Sequence, residues 1–420
     1  MEVKSKDGVH FNYKKSEKFK SIVITIDFVE PLSDNNLEKR TMVAEMIENY
    51  SNKYNSKLKV AQKLAKMYGA QFGTNVFKIG EMAVLRILIS FVNDEYLPNN
   101  ADLIQQITEF LHEMIFNPYF ETNQYPKQIF KLHQQNLINY LQNLDDNKKY
   151  YAAKELSKLY FADKPQNSNS IFGDVHKLKE INSKETADYY RWMLDHDEIF
   201  VSVLGDVSSS QLKKIQQQLD FKPRKTVKNL VVNLQSSSKV RERTEVVQQQ
   251  QSILNLAYEI PVSIKSHDYY AALIMNAILG GSPLSLMFTN IREKQSLAYY
   301  INSSYKSTLG YLTIQSGIDG ENYLLVRKMI AKQIELIIQM KYSDDLLENV
   351  KLLMISDYLT KFDSDRQILN NIFIESILHQ SINKGDWIDN IKKVSKKDIA
   401  KVAKLLKLKA VFFLKGENNA

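Results

Sequence analysis

Gly280-Gly281-Ser282-Pro283-Leu284-Ser285-Leu286-Met287-Phe288-Thr289-Asn290-Ile291-Arg292-Glu293-Lys294-Gln295-Ser296-Leu297-Ala298-Tyr299 is the stretch on which the reading of this chain turns. Two glycines followed by Ser-Pro end the element before them and open a loop. Leu284 to Glu293 then reads as a short helix. A hairpin follows, Leu297 to Tyr305 and Leu309 to Gly317. A glycine loop ahead of a helix can cradle phosphate, but no Lys-Ser/Thr follows these glycines, so a nucleotide role is set aside.

The same order of elements surrounds this stretch twice. In the second half a strand near Ser252 to Tyr258 precedes helices near Asp268 to Leu279. Helices cover Asn322 to Met340, Ser343 to Gln380 and Lys396 to Leu406, and the half closes on Val411-Phe412-Phe413-Leu414. The first half opens on Ile22-Val23-Ile24-Thr25-Ile26-Asp27-Phe28. Helices follow over Ser33 to Asn49 and Lys57 to Tyr68, then a hairpin, Ala70 to Phe77 and Met82 to Phe91. In its second strand Ala83, Leu85, Ile87, Ile89 and Phe91 share a face that Arg86 and Ser90 do not. A helix-rich stretch, with Leu103, Ile107, Phe110, Leu111 and Met114 as its first apolar stripe, leads to the strand Ile199 to Leu204. A repeat this long means duplicated domains. The fold class expected is α+β: two domains, each a mainly antiparallel sheet with helices packed on one face. The boundaries expected are 1–218, a connection over 219–245, and 246–420.

Composition narrows the function. With 420 residues and 44% hydrophobic content the chain can build two cores. It has no cysteine, which excludes disulfides, thiolate metal sites and a cysteine nucleophile, and fits a reducing cytoplasm. No apolar run approaches a membrane span, and Met1 to Asp7 leads into no signal-type apolar segment; a soluble, cytoplasmic protein with no membrane partner is expected. The net charge of +8 comes from 56 basic residues interspersed with 48 acidic ones, so it reads as a solvated basic surface with no nucleic-acid partner.

The 280–299 stretch resembles the second-domain signature of the pitrilysin/insulinase zinc peptidases. In that family a glycine-rich loop leads to a short helix ending in Arg-Glu, followed by Leu-Ala-Tyr. The resemblance covers nearly the whole chain and implies roles for particular residues. Arg292 and Tyr299 would reach a substrate held at the zinc of a facing half, and Gly280, Gly281 and Ser282 would contact peptide. The oxyanion that develops as a peptide bond is hydrated carries negative charge, which a guanidinium and a phenol can stabilise. In isolation, Arg292 capping its helix and Tyr299 packing in the hairpin would explain the same residues.

The family's first domain carries H-x-x-E-H on a helix and a distal glutamate. Here the corresponding helix reads Arg40-Thr41-Met42-Val43-Ala44-Glu45-Met46. Thr41 and Glu45 take the histidine positions, Ala44 replaces the general base, and Gln134 to Tyr140 offers amides where the carboxylate is needed. No metal site is expected in this chain, and none of its seven scattered histidines suggests another. Asp195-His196-Asp197-Glu198 reads as a polar turn, and His112-Glu113 as part of an amphipathic helix. The resemblance thus implies a non-catalytic subunit, pairing as a heterodimer with a homologous zinc-bearing partner around an unfolded peptide substrate. It holds no cofactor itself, and zinc is expected in the partner. A structural, substrate-holding subunit without catalytic input and an unrelated binding scaffold are the alternatives.

Overall fold

The computed structural model describes residues 2–33, 35–98, 102–227, 239–379 and 383–417. The first half runs β1 (Glu2–Lys6), β2 (Val9–Lys15), β3 (Ser21–Pro31), α1 (Leu37–Asn49), α2 (Lys57–Lys66), β4 (Gln71–Ile79), β5 (Met82–Val92), α3 (Leu103–Phe116), α4 (Lys127–Asp146), α5 (Lys148–Tyr160), α6 (Val175–Glu180), α7 (Ser183–His196), β6 (Glu198–Gly205) and α8 (Ser209–Gln218). The second runs β7 (Arg241–Gln248), β8 (Ser252–Glu259), α9 (Tyr269–Asn276), β9 (Tyr300–Lys306), β10 (Tyr311–Ile318), α10 (Tyr323–Ile338), α11 (Asp344–Lys361), α12 (Asp365–Leu378), α13 (Lys384–Lys393), α14 (Lys396–Ala403) and β11 (Lys407–Glu417).

Each half contributes one sheet, and the two sheets repeat each other strand for strand. The first has the order β1-β2-β6-β3-β5-β4, the second β7-β11-β8-β10-β9. Leaving out β1, the orders coincide. In both, the first strand of the repeat runs parallel to its closing strand, β2 with β6 and β7 with β11. The other neighbours are antiparallel. Sequence reading missed β2 and β7. β7 starts inside the expected 219–245 connection because Arg241-Glu242-Arg243-Thr244-Glu245 alternates charges on an edge strand, where charge guards an unpaired backbone. Residues 228–238 of that connection lie outside the described residues.

The chain forms two compact units. The first comprises Met1–Gln142, Ser170–Leu230 and Lys361–Ser381; the second comprises Asn143–Asn169, Val231–Thr360 and Ile382–Ala420. The contiguous halves expected from the sequence therefore differ from the units in two segments. α5 belongs with the second sheet and α12 with the first. The helical stretch expected over 343–380 is two helices, broken at Phe362-Asp363-Ser364, with Ser364 capping α12. That break frees α12 to join the other unit.

In unit 1 the main helical layer packs on one face of the sheet, as expected. Ile22, Ile24, Ile26 and Phe28 of β3 and Leu85, Ile87 and Ile89 of β5 bury there against helices that include α1, α3 and α7. The structure adds one helix on the opposite face: Ile368 and Leu369 of α12 pack on Val23 and Leu204. That cover explains why β3 is buried at every position from Ile22 to Glu30. It also buries a charge. Asp27 takes both arms of Arg86, at 2.5 and 3.0 Å, while the guanidinium lies over the rings of Phe77 and Phe373. Unit 2 repeats the device. Ala152, Leu156 and Phe161, in and just beyond α5, pack with Ile253, Ala257 and Phe412 on the face of its sheet away from its own helices.

Candidate functional site

In unit 1 the site is a cavity beside α1. Asn36 precedes this helix, and its buried residues are spread nearly all round it, so α1 is a core helix and not an amphipathic cover. Thr41, Ala44 and Glu45 line a cavity of about 450 Å³. The facing wall comes from α4, through His133, Asn136, Leu137 and Tyr140, and the edge strand β4 contributes Thr74 to Val76. Of the distal amides, Gln134 turns away and donates to the carbonyls of Leu178 and Ile181 at 2.6 and 3.0 Å.

Sequence reading missed His133. It is buried on α4, with Nδ1 3.1 Å from Oε2 of Glu45 and Nε2 3.2 Å from the Tyr50 hydroxyl. The signal was present: Phe130, His133, Leu137 and Leu141 make one buried helical stripe. The His133 hydrogen bond holds the Glu45 carboxyl below its ordinary value against the opposing effect of burial. Both ring nitrogens of His133 are thus engaged, and Glu45 offers a single carboxylate. Among the described residues no group of three or more His, Cys, Asp or Glu side chains could hold a metal. The donors present at this position do not fit zinc, which needs at least three protein ligands.

Behind the cavity α1 is pinned by a buried cation. Arg40 is fully buried, bonds Glu30 at 2.9 Å and the Phe28 carbonyl at 3.0 Å, and pairs with Asp197. Tyr189 donates to Glu30 at 2.7 Å. Burial alone would pull Arg40 down; Asp197, Tyr189 and Glu30 more than reverse it, so the guanidinium stays charged. Burial raises Asp197 against the pull of Arg40, and its Oδ1 has no hydrogen-bond partner. Glu198 is buried too and bonds His10 at 2.7 Å. The Asp195 to Glu198 segment is therefore only half a surface turn: Asp195 and His196 are exposed, while Asp197 is the internal counter-charge of Arg40 and Glu198 is buried against His10.

In unit 2 Gly280 and Gly281 are the last residues of a π-wound turn, Ala277–Gly281, that continues α9. Ser282, exposed Pro283 and Leu284 and buried Ser285 then lead into a helical turn from Leu286 that is π-wound over Phe288–Glu293. Gly280 is buried. A Cβ there would sit 2.0 Å from Met287 Cε and 3.0 Å from the Ser303 amide nitrogen, so close packing requires glycine. At Gly281 a Cβ would meet the Asn276 side chain at 2.4 Å. Ser282 donates to the Ala277 carbonyl at 2.9 Å, so of the three only Gly281 and Ser282 reach the surface.

Arg292 ends the π turn exposed, with its guanidinium 4.8 Å from the centroid of the Phe288 ring. No carboxylate pairs with it among the described residues. Tyr299 does not pack in the hairpin: it is 59% exposed. Its backbone is fixed by an N–H bond to the Gly317 carbonyl, and its hydroxyl donates to Asp319 at 2.7 Å. That carboxylate raises the phenol's pKa. Ser296, at φ 51°, turns the chain between the two residues.

Comparison with known proteins bears on the fold and the family. Residues 180–354 match the family model described as the peptidase M16 inactive domain. The chain is 25% identical over 425 residues to the probable inactive metalloprotease YmfF of Bacillus subtilis, covering 100% of this chain and 99% of that one. A conserved protein from Enterococcus faecalis superposes with a TM-score of 0.96 at 33% identity, over 100% of this chain and 99% of that chain. The peptidase M16 inactive domain from Pseudomonas fluorescens does so at 0.80 and 15% identity, over 99% and 98%. The chain belongs to the M16 family of pitrilysin/insulinase-type peptidases, as an inactive, metalloprotease-like member. No helix among the described residues is long and apolar enough to cross a membrane.

Proposed function

We propose that this chain is the non-catalytic half of a heterodimeric zinc metallopeptidase. Its partner carries the H-x-x-E-H helix and the zinc; together they enclose an unfolded peptide, for which a precursor peptide processed in the cytoplasm is the natural candidate. Gly281 and Ser282 touch the peptide backbone, with Gly280 setting the loop. Arg292 and Tyr299 act in trans as donors to the oxyanion of the bond being cut. The observation that carries this reading is the exposure of Arg292 on its turn, with no carboxylate among the described residues committed to it. A cation left unpaired at such a place is available to a ligand.

One observation favours the second reading, a purely structural subunit. The Tyr299 proton is already held by Asp319, so the phenol must turn from that carboxylate to donate elsewhere. The two readings part in the assembled complex. Arg292→Ala should lower turnover of a quenched peptide by roughly 10²–10³, the loss usual for one such donor, with assembly and substrate affinity kept. Weakened assembly with turnover per complex unchanged is the outcome that the structural reading requires.

A further inference from the structure

The cavity beside α1 has no set of metal donors among the described residues, yet it is sizeable and has polar walls. The hydroxyls of its two lining threonines have committed their protons elsewhere, which leaves the oxygens to act as acceptors. Thr41 spends its proton on the Leu37 carbonyl at 3.0 Å, and Thr74 directs its own to the Ala44 carbonyl at 3.0 Å or Glu48 at 2.9 Å. Glu45 is half exposed, and only its Oε2 is engaged, by His133. His133 itself has no free nitrogen to offer. Tyr140 and Phe172 meet edge to face at 5.7 Å and give the cavity an aromatic wall. A carboxylate, outward lone pairs and an aromatic wall together suit one ligand class, a cation that donates hydrogen bonds. At about 450 Å³ the space is that of a side-chain or peptide-end pocket.

We propose that this cavity is a receptor for the ammonium group of a peptide, whether an N-terminus or a lysine side chain. Glu45 takes the charge, Thr41 and Asn136 offer oxygen atoms, and Tyr140 flanks it. Three neighbours set the local field: Glu48 adds to the pull from α1, while His133, bonded to Oε2, and Lys57 oppose it across Glu45. The chain as a whole carries +8, so a preference for cations must arise here and not from the general surface. The inference rests on the reading of the chain as a peptide-holding subunit and gives the inactive half a task of its own, selecting which end or side chain of the peptide is held.

The test uses the full-length chain without partner or turnover, so its outcome is separate from that of the Arg292 experiment. Three unstructured probes with a neutral C-terminal dye are titrated by fluorescence anisotropy near neutral pH. One has a free N-terminus and no lysine or arginine; the second is its N-acetylated form; the third is acetylated and carries one lysine. The free-amine or lysyl probe, or both, should bind about tenfold tighter than the acetylated one, and the pattern identifies the source of the ammonium. Glu45→Gln should erase the preference while leaving the acetylated probe unchanged. Asn136→Lys places a cation at the mouth without touching the Glu45–His133 pair and should do the same, which keeps the test valid if Glu45→Gln misfolds. Equal binding of all three probes, or a preference that survives both substitutions, overturns the proposal.

Discussion

The cavity of unit 1 and the 280–299 turn of unit 2 sit in sheets of the same strand order, yet they have been treated in opposite ways. Beside α1 the helix is anchored by buried Arg40, while the α1 side chains lining the cavity are Thr41, Ala44 and Glu45, the last tied to His133. In unit 2 a packed turn carries exposed polar side chains. Gly280 is packed closely against Met287 and the Ser303 backbone, and Arg292 and Tyr299 are exposed on the same stretch. The difference teaches that a framework and the chemistry it carries can be kept or lost separately. A fold match therefore says little about activity until the outward side chains are read.

Three substitutions sharpen that contrast, beginning with the largest effect. Asp197→Ala removes one of the two carboxylates that hold fully buried Arg40. It should cost about 3 kcal/mol, the lower part of the range for breaking a buried pair, because Glu30 remains. Thermal melts would register this as a fall of several degrees, whereas Arg292→Ala should stay within about 0.5 kcal/mol of the parent. An equal loss from both would erase the distinction between framework and outward residue.

Gly280→Ala comes next, at about 1–3 kcal/mol, since Met287 can swing aside but the Ser303 backbone cannot. Its measurement is the denaturant midpoint. A neutral result would mean that the loop glycine is there for a ligand and not for packing.

Glu45→Gln should have the smallest effect on stability. His133 holds the Glu45 carboxyl below its unfolded value, so the stabilisation is present above that value, near 4.5, and disappears as pH falls through the lower folded one. The half-exposed pair is screened by solvent, and the loss at neutral pH should be below about 1 kcal/mol. Melts from neutral pH downward should show parent and variant converging below pH 4.5. Divergence on acidification would reverse the assigned direction of the shift.

Much of the fold was legible because its signals are local. The apolar run of β3 and the alternation in β5 lie within the strands that they decide. The exchange of α5 and α12 was not legible, since each helix records one apolar face but not which sheet will cover it. β7 was hidden by its charges and β2 by its short, mixed pattern. At the candidate site, the lack of any histidine on α1 could be read from residue types alone. The Glu45–His133 pair could not, because its members are 88 residues apart and meet only through packing of α1 against α4.

The central claim, that unit 2 of this chain supplies chemistry to a partner's active site, is tested most directly by one rate. Arg292→Ala/Tyr299→Phe is assembled with the zinc-bearing partner, and turnover of a quenched peptide is measured per mole of complex, alongside a melt. The account predicts a fall of at least roughly 10² with complex formation and melting temperature unchanged. Full turnover by the double variant would contradict it and leave this subunit the structural role alone.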